Sequence, residues 1–111
     1  MSAAYPNDAD GDALRSVAGS GSDMSSPMVI DFSVRVPDEA AARRLAVLVE
    51  SLGFDPSIYQ DPDNGSWSLN CSKSMLATHA GVVAAQIQLN EVAQPHGGSC
   101  QGWGSFGNSG A

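Results

Sequence analysis

Basic residues are scarce in this chain. Five Lys and Arg stand against twelve Asp and Glu in 111 residues, a formal net charge of −7. A surface of that sign repels phosphates, which argues against direct nucleic-acid binding. Cysteine is scarce too: Cys71 and Cys100 are too few for the disulfide scaffold of a small secreted domain, and no Cys-x-x-Cys pair offers a zinc or redox motif. Long apolar runs are missing, so no membrane span is expected, and the stretch from Met1 to Met28 has neither the basic start nor the apolar core of a secretory signal. A reducing, cytoplasmic setting is the expectation. Aromatic residues make up only 6%, yet 42% of the chain is apolar, enough for one folded core at a length that does not accommodate two.

Residues 1–27 are rich in Ser, Gly, Ala and Asp and read as a flexible lead-in. Within it lies a short amphipathic island, Asp12 to Ala18, where Leu14 and Val17 stand at helical spacing. The island reads as a short helix or a frayed tail. Gly19 to Asp23 breaks it. The domain proper spans 28–106, and 107–111 form a loose tail. Met28, Ile30, Phe32, Val34 and Val36 alternate with Val29, Asp31, Ser33 and Arg35, the pattern of a half-buried strand. Asp38 caps a helix to Leu52, with Ala41, Leu45, Leu48 and Leu52 on one stripe broadened by Val49, and Gly53 as terminator. Ser57 to Gln60 and Trp67 to Lys73 form a hairpin around the turn residues Asp61 to Gly65. Thr78 caps a second helix, with Val82, Ala85, Leu89 and Val92 on its inner face, that ends near Ala93 before Pro95. Ser99 to Phe106 reads as a last, glycine-rich edge strand.

The order strand, helix, strand, strand, helix, strand predicts an α+β ferredoxin-like βαββαβ fold: a four-stranded antiparallel sheet with two helices on one face. Its spatial strand order would be fourth, first, third, second. Cys71 and Cys100 would then lie on strands separated by the first, about two spacings of ~4.8 Å apart, too far for a disulfide.

Three patterns carry the register of a known family. Gly21-Ser22-Asp23 leads into the first strand, Leu89-Asn90-Glu91-Val92-Ala93 closes the second helix, and Gly97-Gly98-Ser99-Cys100-Gln101-Gly102-Trp103-Gly104 forms the last strand. The chain resembles the regulator of ribonuclease E activity B (RraB) family from about Asp12 to Phe106. Pro37-Asp38-Glu39, Gly53-Phe54, Ser74-Met75 and Thr78-His79-Ala80 also fall in place. The family's usual segment reads Gly-Gly-x-Tyr-Asp-Gly-Trp-Gly, so Cys100 and Gln101 stand where Tyr and Asp are usual. The resemblance implies a non-catalytic cytoplasmic regulator that binds ribonuclease E or a related ribonuclease and modulates RNA decay.

The residues themselves offer little catalytic chemistry. Asp8-x-Asp10-x-Asp12 hints at a calcium loop, but the glycine falls too early and Gly19 occupies the place of the closing glutamate, so a solvated acidic tail is expected. His79 and His96 mark the two ends of the second helix, about 25 Å apart, and cannot share a metal. No metal site and no cofactor are expected. Neither cysteine is tied to a base, and Cys71 falls in the apolar register. The outward sheet positions, among them Asp31, Ser33, Ser68, Asn70 and Ser72, lack the stacked aromatics of an RNA-reading face, and Arg35 and Lys73 do not supply them. Trp103, bracketed by Gly102 and Gly104, is the candidate partner anchor, with Cys100 and Gln101 beside it. If Cys100 and Phe106 face inward, strict alternation turns Trp103 outward, unless a bulge reverses it. The alternative to the anchor is a core tryptophan. The expected partner is a protein, and the expected state a monomer or weak dimer. The competing reading is a small-molecule-sensing or dimerising ferredoxin-like module of an unrelated pathway.

Overall fold

Met28–Val36 forms β1, and its alternation becomes a burial pattern: Met28, Ile30, Phe32, Val34 and Val36 are buried while Val29, Ser33 and Arg35 are exposed. The computed structural model describes residues 8–19 and 21–105. Phe106, the 107–111 tail and the first seven residues of the expected lead-in lie outside the described residues, as does Ser20. Around β1 stand α1 (Ala9–Gly19), α2 (Glu39–Ser51), β2 (Asp55–Gln60), β3 (Trp67–Met75), α3 (His79–Ala93), a 3₁₀ turn at Gln94–His96 and β4 (Ser99–Gly104). The sheet order is β2-β3-β1-β4 with every pairing antiparallel, the ferredoxin-like arrangement.

Both caps named from the sequence hold their helices. The Ala41 N–H donates to Asp38 Oδ1 at 2.8 Å, and the Gly81 N–H to Thr78 Oγ1 at 3.0 Å. Two helical stripes differ from expectation. In α2 the buried residues are Ala41, Ala42, Leu45 and Val49, while Leu48 is 40% exposed. The helix sits turned so that small Ala42, not Leu48, meets the sheet. In α3, Val82, Ala85 and Leu89 are buried as expected, and the next buried position falls four residues after Leu89 at Ala93, Val92 staying half-buried. The hairpin arms are longer than expected: β2 starts at Asp55 and takes in Pro56, and β3 runs on to Met75. As the outer strand of the sheet, β2 tolerates a residue that lacks an N–H.

The lead-in contains an eleven-residue helix, α1, with Leu14 fully buried and Val17 nearly so. A buried Leu contributes about 2 kcal/mol relative to an exposed one. After α1, Asp23 accepts from the Ser25 N–H and hydroxyl and from the Ser26 hydroxyl, so Gly21-Ser22-Asp23 belongs to the turn that delivers the chain to β1. The hydroxyl of Ser25 is the first cause holding the Asp23 carboxyl below its ordinary value. The sheet face away from the helices is polar, and on it Asp31 accepts from the Ser72 hydroxyl at 2.5 Å and from the Asn70 amide at 3.2 Å.

Candidate functional site

The Gly-Gly to Gly-Trp-Gly segment turns the corner from α3 into β4. Gly98 is buried against β1, where a Cβ would stand 2.8 Å from the Arg35 carbonyl oxygen and 3.2 Å from the Ala93 Cβ. No side chain fits there. The strand is then fixed to α3 by the Cys100 N–H, which donates to Asn90 Oδ1 at 3.1 Å.

Pairing with β1 shows what happens to the alternation. Val34 lies opposite Cys100 and Ser33 opposite Gly102, so Gln101 is the extra residue of a bulge. The bulge reverses the parity: Cys100 and Trp103, which pair with the buried Val34 and Phe32, both face the helix layer. Trp103 is therefore not turned outward. It is half-buried and packs against the core. Gly102 carries φ +135, a backbone state that L side chains rarely adopt, whereas Gly104 has open space and no such constraint. Gln101 is exposed, its amide donating to the Ser99 hydroxyl at 2.6 Å.

Above Trp103 lies α1. The indole N–H donates to Asp10 Oδ1 at 2.8 Å, and the same oxygen accepts from the Gln86 amide of α3 at 2.9 Å. One carboxylate thus joins α1, α3 and β4. Asp8 caps α1, its Oδ1 accepting from the Gly11 N–H at 2.7 Å, and its Oδ2 pairs with His79 Nε2 at 3.0 Å. The Gly11 N–H and then the His79 bond hold the Asp8 carboxyl below its ordinary value of 3.8. Asp12 pairs with Arg15 within the helix. The Asp8-x-Asp10-x-Asp12 run is thus the first turn of a docked helix, where carboxylates also favour the helix dipole.

One donor atom each from Asp8, Asp10 and His79 lie within 4.8 Å of one another, a set of the size a metal ion needs. All three residues stand at helix N-termini, whose dipoles disfavour a cation, and both carboxylates already accept N–H groups. The arrangement works as a clamp between α1 and α3. His96 stands in the 3₁₀ turn at the far end of α3. Burial pushes the Cys71 thiol up to about 12, and burial raises the Cys100 thiol too, the Asp10 charge adding to that against a Gly102 N–H that lowers it. Neither sulfur is an activated nucleophile.

Sequence reading picked out Asp8, Asp10, His79 and Trp103 separately and missed that they meet. It also missed Gln86 and Asn90. The only signals available were the polar Gln86 between the apolar Ala85 and Ile87 of α3 and the position of Asn90 in the Leu89 to Ala93 pattern.

Fold and site together define a ferredoxin-like α+β domain with an N-terminal helix clamped across its last helix and last strand. The chain belongs to the regulator of ribonuclease activity B family, whose model matches residues 7–105, from just before α1 to just after β4. A search of curated proteins returns no match. Among the described residues, no helix is long and apolar enough to cross a membrane.

Proposed function

We propose that this protein is a non-catalytic cytoplasmic regulator that binds a ribonuclease of the ribonuclease E type and restrains RNA decay by protein contact alone. The family match over residues 7–105 carries this reading. Its support in the geometry is that both thiols are raised rather than lowered and that the paired His79 is committed to clamping α1. The Gly102-Trp103-Gly104 segment with Cys100 and Gln101 remains the proposed contact region, acting through the surface that α1, α3 and β4 build over the indole. The protein works as a monomer or weak dimer in this scheme, without a cofactor and without touching RNA. The test is RNA cleavage by the purified ribonuclease with increasing amounts of this protein, beside an assay of the protein alone. Dose-dependent slowing with no cleavage by the protein itself is expected. Unchanged cleavage, with no complex formed, would overturn the reading.

A further inference from the structure

Two shallow clefts open on the helix layer, and they share the same two residues. The larger, about 590 Å³, lies between α3 and β3 and is lined by Lys73, Met75, Ala84 and Gln88 among others. The smaller, about 310 Å³, lies between α3 and β4 and is lined by Gln86, Asn90 and Cys100. Ile87 and Glu91 line both. Ile87 is thus a ridge, 55% exposed, with a depression on either side. An exposed β-branched apolar side chain between two depressions is the shape that a partner's side chains straddle.

The larger cleft carries charges of both signs. Lys73 occupies an inward position of β3, opposite the buried Ile30, and its ammonium lies 5.0 Å from the centroid of the Phe54 ring. Among the described residues it has no carboxylate within ion-pairing distance, although Arg15, Arg43 and His79 each have one. Glu91 lines the same cleft and pairs with neither Lys73 nor any other cation there. Opposite charges that share a cleft without pairing leave Glu91 free for an outside partner and Lys73 held only by the Phe54 ring. On the open face of the sheet Asp31, Asn70 and Ser72 bond to one another, and Val29 and Tyr59 are exposed beside them.

We infer that the Ile87 ridge is the docking surface for a short amphipathic segment of the ribonuclease, an apolar side chain of which packs beside Ile87 while its acidic and basic neighbours meet Lys73 and Glu91. This rests on the ribonuclease-regulator reading and places its contact. The surface adjoins the Gly-Trp-Gly strand, because Cys100 lines the smaller cleft and Gln86 both lines it and holds Asp10.

The experiment is titration of the purified ribonuclease with the full chain, comparing the unaltered protein, Ile87→Asp, Glu91→Lys and Tyr59→Ser on the open sheet face. Circular dichroism and the oligomeric state are recorded for each. The expected result is a loss of at least about tenfold in affinity for Ile87→Asp and for Glu91→Lys, with Tyr59→Ser unchanged. Binding by the unaltered protein with neither of these two variants weakened would overturn the inference and leave the regulator reading standing. A dimer that Ile87→Asp dissociates would make the occupant a second copy and overturn it as well. No binding by the unaltered protein would remove the regulator reading and this inference with it.

Discussion

Gly102 and Gly104 bracket the same indole and answer to different constraints. Gly102 follows the bulged Gln101 and carries φ +135, so any Cβ there is strained although no atom lies within 4 Å. Gly104 is free of both restrictions. Gly102→Ala is expected to lower stability by roughly 1–2 kcal/mol, and Gly104→Ala to leave it nearly unchanged, as read by chemical denaturation. The comparison also bears on the role of the motif. Gly98 and Gly102 are required by a close backbone approach and by a bulge, and Trp103 is held inward, so much of this segment's demand for particular residues comes from the fold itself. Residues free to serve a partner are exposed ones that the packing does not use, such as Gln101, whose amide bonds only to the neighbouring Ser99, and, across α3, Glu91.

At the scale of elements, α1 is joined to the domain by a few polar contacts and by Leu14 and Val17. Asp10→Ala strips the acceptor from both the Trp103 indole and the Gln86 amide. The expected cost is about 1–2 kcal/mol, with a red shift of Trp103 emission in a Trp67→Phe background as α1 lifts. Asp8 adds a pH dependence. Its carboxyl titrates lower in the folded protein than in the unfolded chain, so its contribution is whole at neutral pH and is lost as pH falls below about 4 and on through the depressed value. Emission from Trp103 should therefore change in acid in the unaltered protein, and the part owed to Asp8 should be missing in Asp8→Asn.

Much of this architecture could be read from residue order, because each element carries its own local signature. The alternation of Met28–Val36, the Asp38 and Thr78 caps and the turn residues at Asp61–Gly65 act over a few positions and name their elements directly. What could not be read depends on distant partners. Whether Leu48 or Ala42 faces the sheet follows from how α2 is seated, and whether Trp103 faces in or out follows from one inserted residue, Gln101, in the pairing with β1. Asp10 meets Trp103 across a sequence separation of 93 residues, and no periodicity encodes that.

For the molecule as a whole, acidic charge dominates. Arg15 and Arg43 are spent on local pairs with Asp12 and Glu39, exposed pairs of the sort that contribute little to stability. The remaining field is negative and suits fast approach to a basic stretch of a partner, while Lys73 and Glu91 would fix the register after contact. Raising the ionic strength is accordingly expected to weaken binding to the ribonuclease, chiefly by slowing association. Stopped-flow measurements at low and high salt check this, and an association rate indifferent to salt would remove the steering role.

The central strand has another consequence. β1 pairs with β3 on one side and with β4, the last element described, on the other, and α1 at the front of the chain is held by an indole carried on that same last strand. Of the described elements, α1 leaves the ribosome before the others and β4 after them. Until β4 is made, one edge of β1 stays unpaired and α1 holds to α3 alone through His79 and Gln86, and the pairing and the Trp103 bond are completed together when Trp103 clears the exit tunnel. A nascent chain cut short before that point would carry an open edge on β1 and an α1 without its indole partner, a form prone to pairing with another chain.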